Sequence, residues 1–357
     1  MASPALGSPP ARGPRERDST VPDVAGVLVL GSCAGWALLS AAGRDARPEG
    51  VLLAVLAVGA GYACGRILGS LLPVGAPALA SLVGLTLALA SPDAVPGTAP
   101  TVPQGRAGAT AALLVLSVGA ACCAAWSAPK GGLRRVLLFL LGGLIASVGL
   151  AWESLMGFTA AAGVVLCALA AGRLRRRGPA FAGLVLAVAL ATGTTWAVAE
   201  RSLPDGLSSS LEGQLTEHRV ELWEDALATV RDHPLLGSGP DSFGETSKTA
   251  GQQADTDGKP HSAPLQVGSE QGLPGVALLG AAFGWVLLAL WYSPRPTAVV
   301  LTAGTALTAL AAVSCVGNAL SFTQVTTGAG MLAGFATAHR ISYRTHAQHP
   351  LEGLPPR

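Results

Sequence analysis

Long runs of apolar residues, separated by short polar turns, make up most of the chain. Each run approaches the roughly 20 residues that a helix needs to cross the hydrocarbon core of a bilayer. The runs do not alternate polar and apolar residues, which argues against a transmembrane β-barrel. The pattern predicts an all-α, polytopic helical membrane protein with about ten transmembrane helices. We place these at 24–42, 50–65, 71–90, 109–128, 136–152, 154–172, 180–199, 272–291, 297–316 and 321–338.

The composition agrees with a membrane protein. Half of the 357 residues are apolar, 12% are charged and the mean hydropathy is +0.49, whereas soluble domains carry about a quarter charged residues. The six cysteines fall inside apolar runs, so the sequence indicates neither a disulfide framework nor a metal site. The first run is rather long for a signal peptide, and we interpret it as a retained span. We expect no cofactor and no nucleic-acid partner.

One long polar stretch interrupts the apolar pattern at residues 200–271. We interpret it as a loop that contains short amphipathic helices and connects the seventh and eighth spans. The Pro- and Arg-rich residues 1–23 are typical of a disordered tail. The predicted organisation is therefore a tail at 1–23, spans one to seven at 24–199, the loop at 200–271, spans eight to ten at 272–338 and a second tail at 339–357.

The distribution of Lys and Arg predicts the orientation. If both termini are cytoplasmic, the tails and the short basic loops at 129–135 and 173–178 lie inside, together with most of the 23 Lys and Arg residues. This arrangement agrees with the positive-inside rule. The same parity makes the loop at 200–271 extracytoplasmic on a multi-pass plasma-membrane protein. Its substrate must then be available at the outer leaflet, where ATP and nucleotide sugars are absent.

Local patterns predict helices within the loop. Ser209–Glu212 has the spacing of a capping box, which is typical of a helix N-terminus. A second helix begins near Pro264, a residue favoured in the first helical turn, and runs to Gln271, where Gly272 separates it from span eight. Between them, one apolar stripe at helical spacing predicts an amphipathic helix on the membrane surface or on top of the spans. The stripe consists of Val220, Trp223, Leu227 and Val230.

Three motifs follow one another in this loop. They read Arg-x-x-x-Trp-x-x-Ala-Leu, His-Pro-Leu-Leu-Gly-x-Gly-x-x-x-Phe and His-Ser-x-x-Leu-Gln-x-x-x-Glu-x-Gly-x-x-Gly, and they begin at Arg219, His233 and His261. In this order, within one loop between two spans, the motifs resemble the O-antigen ligase and polymerase family. The resemblance covers about sixty residues and continues into span eight.

The resemblance implies an activity. Family members move a glycan from an undecaprenyl diphosphate carrier to a hydroxyl of an acceptor lipid, protein or glycan, at the outer face and without a metal. The resemblance assigns the diphosphate to Arg219 and the acceptor hydroxyl to His261. A guanidinium binds phosphate bidentately, and an imidazole takes up a proton near neutral pH. We therefore expect a lipid-carrier-dependent glycosyltransferase of cell-surface polysaccharide biosynthesis, in contact with membrane lipids.

Each catalytic assignment has a structural alternative. Arg219 is otherwise a solvated helix residue paired with Glu221 or Asp225. His261 is otherwise a helix-capping histidine at the interface. The helix N-terminus that follows His261 favours anions.

Four further residues are candidates for substrate binding. Glu270 either orients His261 or caps span eight, and the sequence does not choose between these roles. Trp223 is either an interfacial anchor or a platform for a sugar ring. The four candidates are Arg201, Glu270, Gln266 and Trp223.

The chain departs from the family pattern at one place. Many members carry Ser-Arg-Gly at the outer end of a middle span, which provides a second arginine for the diphosphate. The corresponding residues here are 151–155, where Glu153 would repel a diphosphate. Arg201 is a candidate substitute. The alternative function is therefore a non-catalytic flippase, exporter or assembly subunit for cell-surface polysaccharide that keeps the family loop.

Overall fold

The computed structural model describes residues 14–90, 103–151, 154–174, 176–202, 217–252 and 258–339. Within these ranges the chain forms helices and turns and has no strand. The α-helices are α1 (Pro14–Ala41), α2 (Glu49–Leu71), α3 (Gly75–Leu89), α4 (Pro103–Ser127), α5 (Leu133–Ala151), α6 (Leu155–Ala171), α7 (Arg177–Ala199), α8 (Glu217–Asp232), α9 (Phe243–Thr246), α10 (Ala263–Trp291), α11 (Thr297–Val316) and α12 (Thr323–Thr337). Two 3₁₀ turns lie at Ala250–Gln252 and Ala319–Ser321.

All ten predicted spans coincide with helices. Seven of the described helices are long and apolar enough to cross a membrane: α1, α2, α4, α5, α7, α10 and α11. Helices α3 and α6 are apolar but shorter, and α12 has 15 residues. The prediction of a polytopic helical membrane protein is therefore confirmed.

The first helix begins earlier than predicted. It starts at Pro14 and so includes ten residues that we assigned to the disordered tail. Proline is favoured at the first helical position, because its missing N–H has no intrahelical partner there anyway. The predicted capping box at Ser209–Glu212 and the residue Glu153 lie outside the described residues.

Helix α4 is the centre of the bundle. It packs against α3, α5, α6, α11 and α12, and most of its side chains are buried, including Cys122 and Cys123. Its sequence is rich in alanine and other small residues, which let neighbouring backbones approach closely in a lipid environment. Helices α2 and α12 make a second close pair, because Gly65 lies against the backbone of Met331 and Gly334 against that of Tyr62.

Helix α1 runs along α10 and links the two halves of the sequence. The Trp285 indole N–H donates to the carbonyl of Pro22 at 2.7 Å. At the other end of this pair, the Trp36 indole N–H donates to the carbonyl of Gln271 at 3.0 Å. The second contact fixes α1 at the point where the polar loop joins α10.

Two arginines connect helix ends by hydrogen bonds at the end of the bundle opposite the loop. Arg177 donates to the carbonyl oxygens of Trp291 at 3.1 Å and Ser293 at 3.0 Å. Arg295 donates to the carbonyl oxygens of Ala338 at 2.8 Å and Gly69 at 2.6 Å. These carbonyls belong to the C-terminal ends of α2, α10 and α12 or follow them directly, so the guanidinium groups satisfy acceptors that have no helical partner.

Candidate functional site

Helix α8 lies on top of the spans as an amphipathic helix. It packs against α10 and α7, and its buried residues are Leu222, Trp223, Ala226, Leu227 and Val230. Three of the four residues of the predicted stripe are thus buried, and Val220 is partly buried. The helix forms a small core of its own with Phe243, Ala250 and Leu265. This core connects the first motif of the loop to the second and third.

The third motif lies on a broken helix. Helix α10 is interrupted at Gly272, whose backbone has φ 72° and ψ −174°. The break divides α10 into a short helix, 263–271, and a long helix, 273–291. This agrees with the prediction of a short helix near Pro264 that ends at Gln271.

The second motif supplies the hydrogen-bond partners of the break. The amide N–H groups of Ser238 and Gly239 each donate at 2.8 Å, to the carbonyls of Ser269 and Glu270 respectively. On the far side, the N–H of Leu273 donates to the carbonyl of Pro234, also at 2.8 Å. A helix end away from water needs such partners, so the turn at 234–239 is the element that makes the break possible.

Glycines are required on both sides of this contact. A methyl group at Gly272 would lie 2.4 Å from the Leu235 carbonyl oxygen, and one at Gly237 would lie 2.4 Å from the Glu270 carbonyl carbon. Both glycines also have positive φ, where a side chain is strained. Arg44, from the connection between α1 and α2, donates to the Gly237 carbonyl at 2.8 Å and holds the turn from outside.

His261 occupies a strained position just before the short helix. Its φ is 51°, in the left-handed region that few non-glycine residues adopt, and it is 5% exposed. The preceding carbonyl, of Pro260, accepts a hydrogen bond of 2.7 Å from the Trp223 indole N–H. Strain of this kind is typical of functional sites, where the surrounding structure maintains it.

Trp223 is 1% exposed, so its ring has no face open to a sugar. Through its bond to Pro260 it joins the first motif to the third. Arg219 lies four residues earlier, on the same face of α8. The first motif therefore brings Arg219 to the region beside the segment that contains His261.

Arg219 is a half-buried guanidinium that donates to the Val316 carbonyl at 3.3 Å. Burial lowers its pKa below the ordinary value for arginine. Within the described residues, no carboxylate lies within salt-bridge distance of Arg219. The two acids suggested as its partners are used elsewhere: Glu221 faces His218 at 4.0 Å, and Asp225 accepts from Ser247 at 2.7 Å.

Arg201 is placed differently. It follows the end of α7 with a φ of 49°, its side chain is 68% exposed, and it forms an ion pair with Glu224. The nearby pair of Arg231 and Glu200, at 3.1 Å, makes a second link between α7 and α8. A role for Arg201 in substrate binding requires that its guanidinium leave Glu224.

Glu270 is a buried carboxylate on the short helix. It is 4% exposed and accepts hydrogen bonds from the Gln266 amide at 3.2 Å and from the backbone N–H of Asp241. Asp241 is the third non-glycine residue with positive φ in the described chain, at 61°. All three residues with this strain (Arg201, Asp241 and His261) lie in the loop that carries the motifs.

A cavity of about 650 Å³ opens beside the short helix. Its apolar wall is formed by residues of α1, α2, α7, α10, α11 and α12. Its charged residues lie at the loop end, where together with nearby polar residues they form what we call the polar rim. The rim consists of Arg47, Glu49, Asp241, Lys259, Gln266, Glu270, Asn318 and Ser321.

The sequence did not point to most of this rim. Arg47 comes from the connection between α1 and α2, and its N–H donates to the Pro240 carbonyl at 2.9 Å. The order of the predicted spans could have suggested a contact, because it places this connection on the same side of the membrane as the loop at 200–271. Arg219 and His261 are not among the residues that line the cavity.

Comparisons with known proteins agree with the motifs. The model of the O-antigen ligase family matches residues 153–280 of the chain. No curated protein and no solved structure matches the chain. The matched segment includes α8, the turn at 234–239 and the broken helix, and it supports an O-antigen ligase or polymerase type of function in polysaccharide biosynthesis. The chain is thus a multi-pass membrane protein in which residues 153–280 match the O-antigen ligase family.

Proposed function

We propose that the protein transfers a glycan from an undecaprenyl diphosphate carrier to an acceptor hydroxyl at the outer face of the plasma membrane. The observation that carries this proposal is the cavity beside the broken helix, apolar along most of its length and charged only at the loop end. A carrier lipid has the same division, with a long apolar chain and a charged head that holds the sugar.

The cavity suits the prenyl chain of the donor. Apolar chain atoms are stabilised wherever they replace contacts with water or with loosely packed lipid. The walls of α2, α10 and α11 supply aliphatic side chains such as Val55, Leu279 and Leu310. A chain bound there would present its diphosphate at the polar rim, next to the three motifs.

Arg219 is proposed to bind the diphosphate. A guanidinium that is partly removed from water binds an anion more strongly than a solvated one, and no described carboxylate pairs with Arg219. Its present acceptor, the Val316 carbonyl, is neutral and distant at 3.3 Å, so little is lost when a phosphate oxygen replaces it. Arg201 is a second proposed ligand once it exchanges Glu224 for the substrate.

His261 is proposed to act on the acceptor side of the reaction. Its backbone strain and the bond from Trp223 to Pro260 fix it ahead of the short helix. Trp223 is buried, so we propose that it affects substrate binding indirectly, by holding the segment that contains His261 in place. Gln266 and Glu270, both on the polar rim, are proposed to contact the glycan or acceptor hydroxyls.

The proposed orientation places the loop outside and both termini inside. The basic clamp of Arg177 and Arg295 at the opposite end of the bundle supports it, since cytoplasmic ends of spans are enriched in such residues. A membrane-impermeant maleimide tests this on intact cells. Leu235→Cys, in the loop, should be labelled from the medium, whereas Lys130→Cys should react only after lysis, and the reverse pattern would refute the orientation.

Reconstitution tests the reaction. Full-length protein in nanodiscs should transfer a synthetic undecaprenyl diphosphate-linked oligosaccharide to an acceptor in the presence of a chelator. Arg219→Gln and His261→Ala should each lose transfer. Arg231→Gln is the matched control, because Arg231 lies on the same helix but is exposed and paired with Glu200.

Occupation of the cavity can be measured separately. Cys33 lines the cavity, whereas Cys64 is exposed on the outside of the bundle. Undecaprenyl diphosphate should slow alkylation of Cys33 and leave Cys64 unchanged. Protection of Cys33 together with no transfer by the wild type would favour the non-catalytic flippase or assembly subunit.

A further inference from the structure

Glu270 is the buried carboxylate of the polar rim. A carboxylate that is removed from water needs hydrogen bonds or a cation to remain charged. Glu270 receives two donors, the Asp241 N–H and the Gln266 amide. A carboxylate offers about four lone-pair positions, so these two donors leave acceptor capacity on Glu270, which lines the cavity.

The fold does not need this carboxylate to hold the turn at 234–239. That turn is bound by backbone groups, namely the carbonyls of Ser269 and Glu270 and the N–H of Leu273. A glutamine at position 270 keeps those backbone bonds and still offers an amide oxygen to the Asp241 N–H. Packing alone therefore gives no reason for an ionisable group here.

The charged surroundings of Glu270 suit a group that exchanges a proton. Lys259 and Asp241 are the charged residues that act on it, Lys259 favouring its charged form and Asp241 opposing it. Arg47 and Glu49 belong to the same rim. Charged residues of both signs therefore lie around the Glu270 carboxylate.

We infer that Glu270 is the general base that removes the proton from the acceptor hydroxyl. The inference rests on the proposed function and changes only the residue that receives the proton. Glu270 lines the cavity in which the donor is proposed to bind, whereas His261 is not among its lining residues. His261 precedes the first residue of the short helix, whereas Glu270 lies in its last turn, about 10 Å further along the axis from that first residue.

The step balances without any further reactant. The acceptor O–H bond breaks and its proton goes to the Glu270 carboxylate as the oxygen forms a bond to the anomeric carbon of the donor. The bond from that carbon to the diphosphate breaks, and its electron pair leaves with the phosphate oxygen. Glu270 then releases the proton to water. His261 in this scheme is a positioning residue at the start of the short helix.

The pH dependence of transfer tests which residue is the base. Three proteins are compared in nanodiscs: wild type, Glu270→Gln and His261→Gln. Thermal unfolding measures whether each protein is folded. Protection of Cys33 by undecaprenyl diphosphate measures donor binding. If Glu270 is the base, wild-type kcat falls at acid pH as the carboxylate is protonated. Glu270→Gln should lose at least about 100-fold in kcat with unchanged donor binding, and its residual rate should lack the acid limb.

His261→Gln separates the two candidates, because its residual activity should keep the wild-type acid limb. The inference is overturned if Glu270→Gln stays within about threefold of wild type or keeps the limb while His261→Gln loses it. Glu270→Asp keeps the carboxylate and should recover part of the rate, which a purely structural role of the side chain would not produce. Absence of transfer by the wild type would overturn the proposed function and this inference with it.

Discussion

Arg219, at the loop end of the helical bundle, is used differently from Arg177 and Arg295 at the opposite end. At the end away from the loop, Arg177 and Arg295 each donate to several carbonyl oxygens at helix C-termini. At the loop end, Arg219 has one neutral acceptor at 3.3 Å. The arginines differ in how many hydrogen bonds each guanidinium donates to the backbone. The sequence shows that all are arginines but does not show this difference.

The two ends of the bundle also differ in backbone conformation. All non-glycine residues with positive φ in the described chain lie at the loop end. The opposite end meets its hydrogen-bonding needs with ordinary helix caps. Strained backbone and unused hydrogen-bonding capacity occurring together are typical of a site prepared for a ligand. The comparison predicts that substitution of Arg219 changes activity and that substitution of Arg177 changes stability.

The largest effect is expected where the loop end meets the spans. Gly272→Ala forces alanine into a left-handed conformation and brings its methyl group to 2.4 Å from the Leu235 carbonyl oxygen. The free energy of unfolding should fall by about 3 kcal/mol or more, measured by thermal unfolding in detergent. Gly280→Ala is the control on the same helix, because nothing lies within 4 Å of its added methyl group. Equal melting temperatures for both variants would contradict the role of the turn.

This break also shows what the sequence can and cannot predict. Gly272 and Pro264 mark the limits of the short helix by local chemistry, and the spacing of Trp223, Leu227 and Val230 predicts the buried face of α8. The bonds of Ser238 and Gly239 to the broken helix are not predictable in this way. They depend on a contact between segments about thirty residues apart in sequence.

The cavity shows the same limit over longer distances. Its rim combines the connection after α1, the segment before the short helix and the turn before α12. Patterns along the chain identify each as polar, but only the packing of α1 and α2 against α10 to α12 brings them together. Arg47 and Lys259 were missed for this reason.

The second largest effect is expected on catalysis at Arg219. Arg219→Gln should lower transfer about 100-fold, equivalent to about 2.7 kcal/mol in the activation barrier, with a melting temperature within about 2 °C of wild type. Arg219→Lys keeps the charge but loses bidentate geometry, and we expect about a tenfold loss. Steady-state transfer assays with varied donor measure both. If Arg219→Gln instead lost much stability and kept its specific activity, Arg219 would stabilise the fold as Arg177 does.

Arg177→Gln should show the opposite behaviour. The substitution removes hydrogen bonds to the carbonyls of Trp291, Ser293 and Arg295, and several unsatisfied carbonyls cost about 2 kcal/mol together. The protein should melt earlier, while transfer per folded molecule stays at the wild-type level. Arg173→Gln, an exposed residue before the same helix, is the control and should change neither quantity.

The smallest effect concerns Asp225, which belongs to the fold of the loop end. Burial opposes its charged form, but hydrogen bonds from Ser247 at 2.7 Å and the Thr249 N–H at 3.0 Å outweigh it and lower the pKa of Asp225 below its ordinary value. Asp225→Asn should destabilise the protein by about 1 kcal/mol at neutral pH. Thermal unfolding of both proteins across a pH series measures the difference.

The sign of the pH dependence follows from the lowered pKa. The folded protein holds the Asp225 proton less tightly than the unfolded chain, whose pKa is about 3.9. The stabilisation is therefore fully present above that value and disappears as the pH falls through the folded pKa. The gap in melting temperature between wild type and Asp225→Asn should close in this acid range, and a gap that widens there would contradict the assignment. Ser247→Ala should cost less in the Asp225→Asn background than in the wild type, because its hydroxyl then donates to a neutral amide oxygen and no longer to a carboxylate.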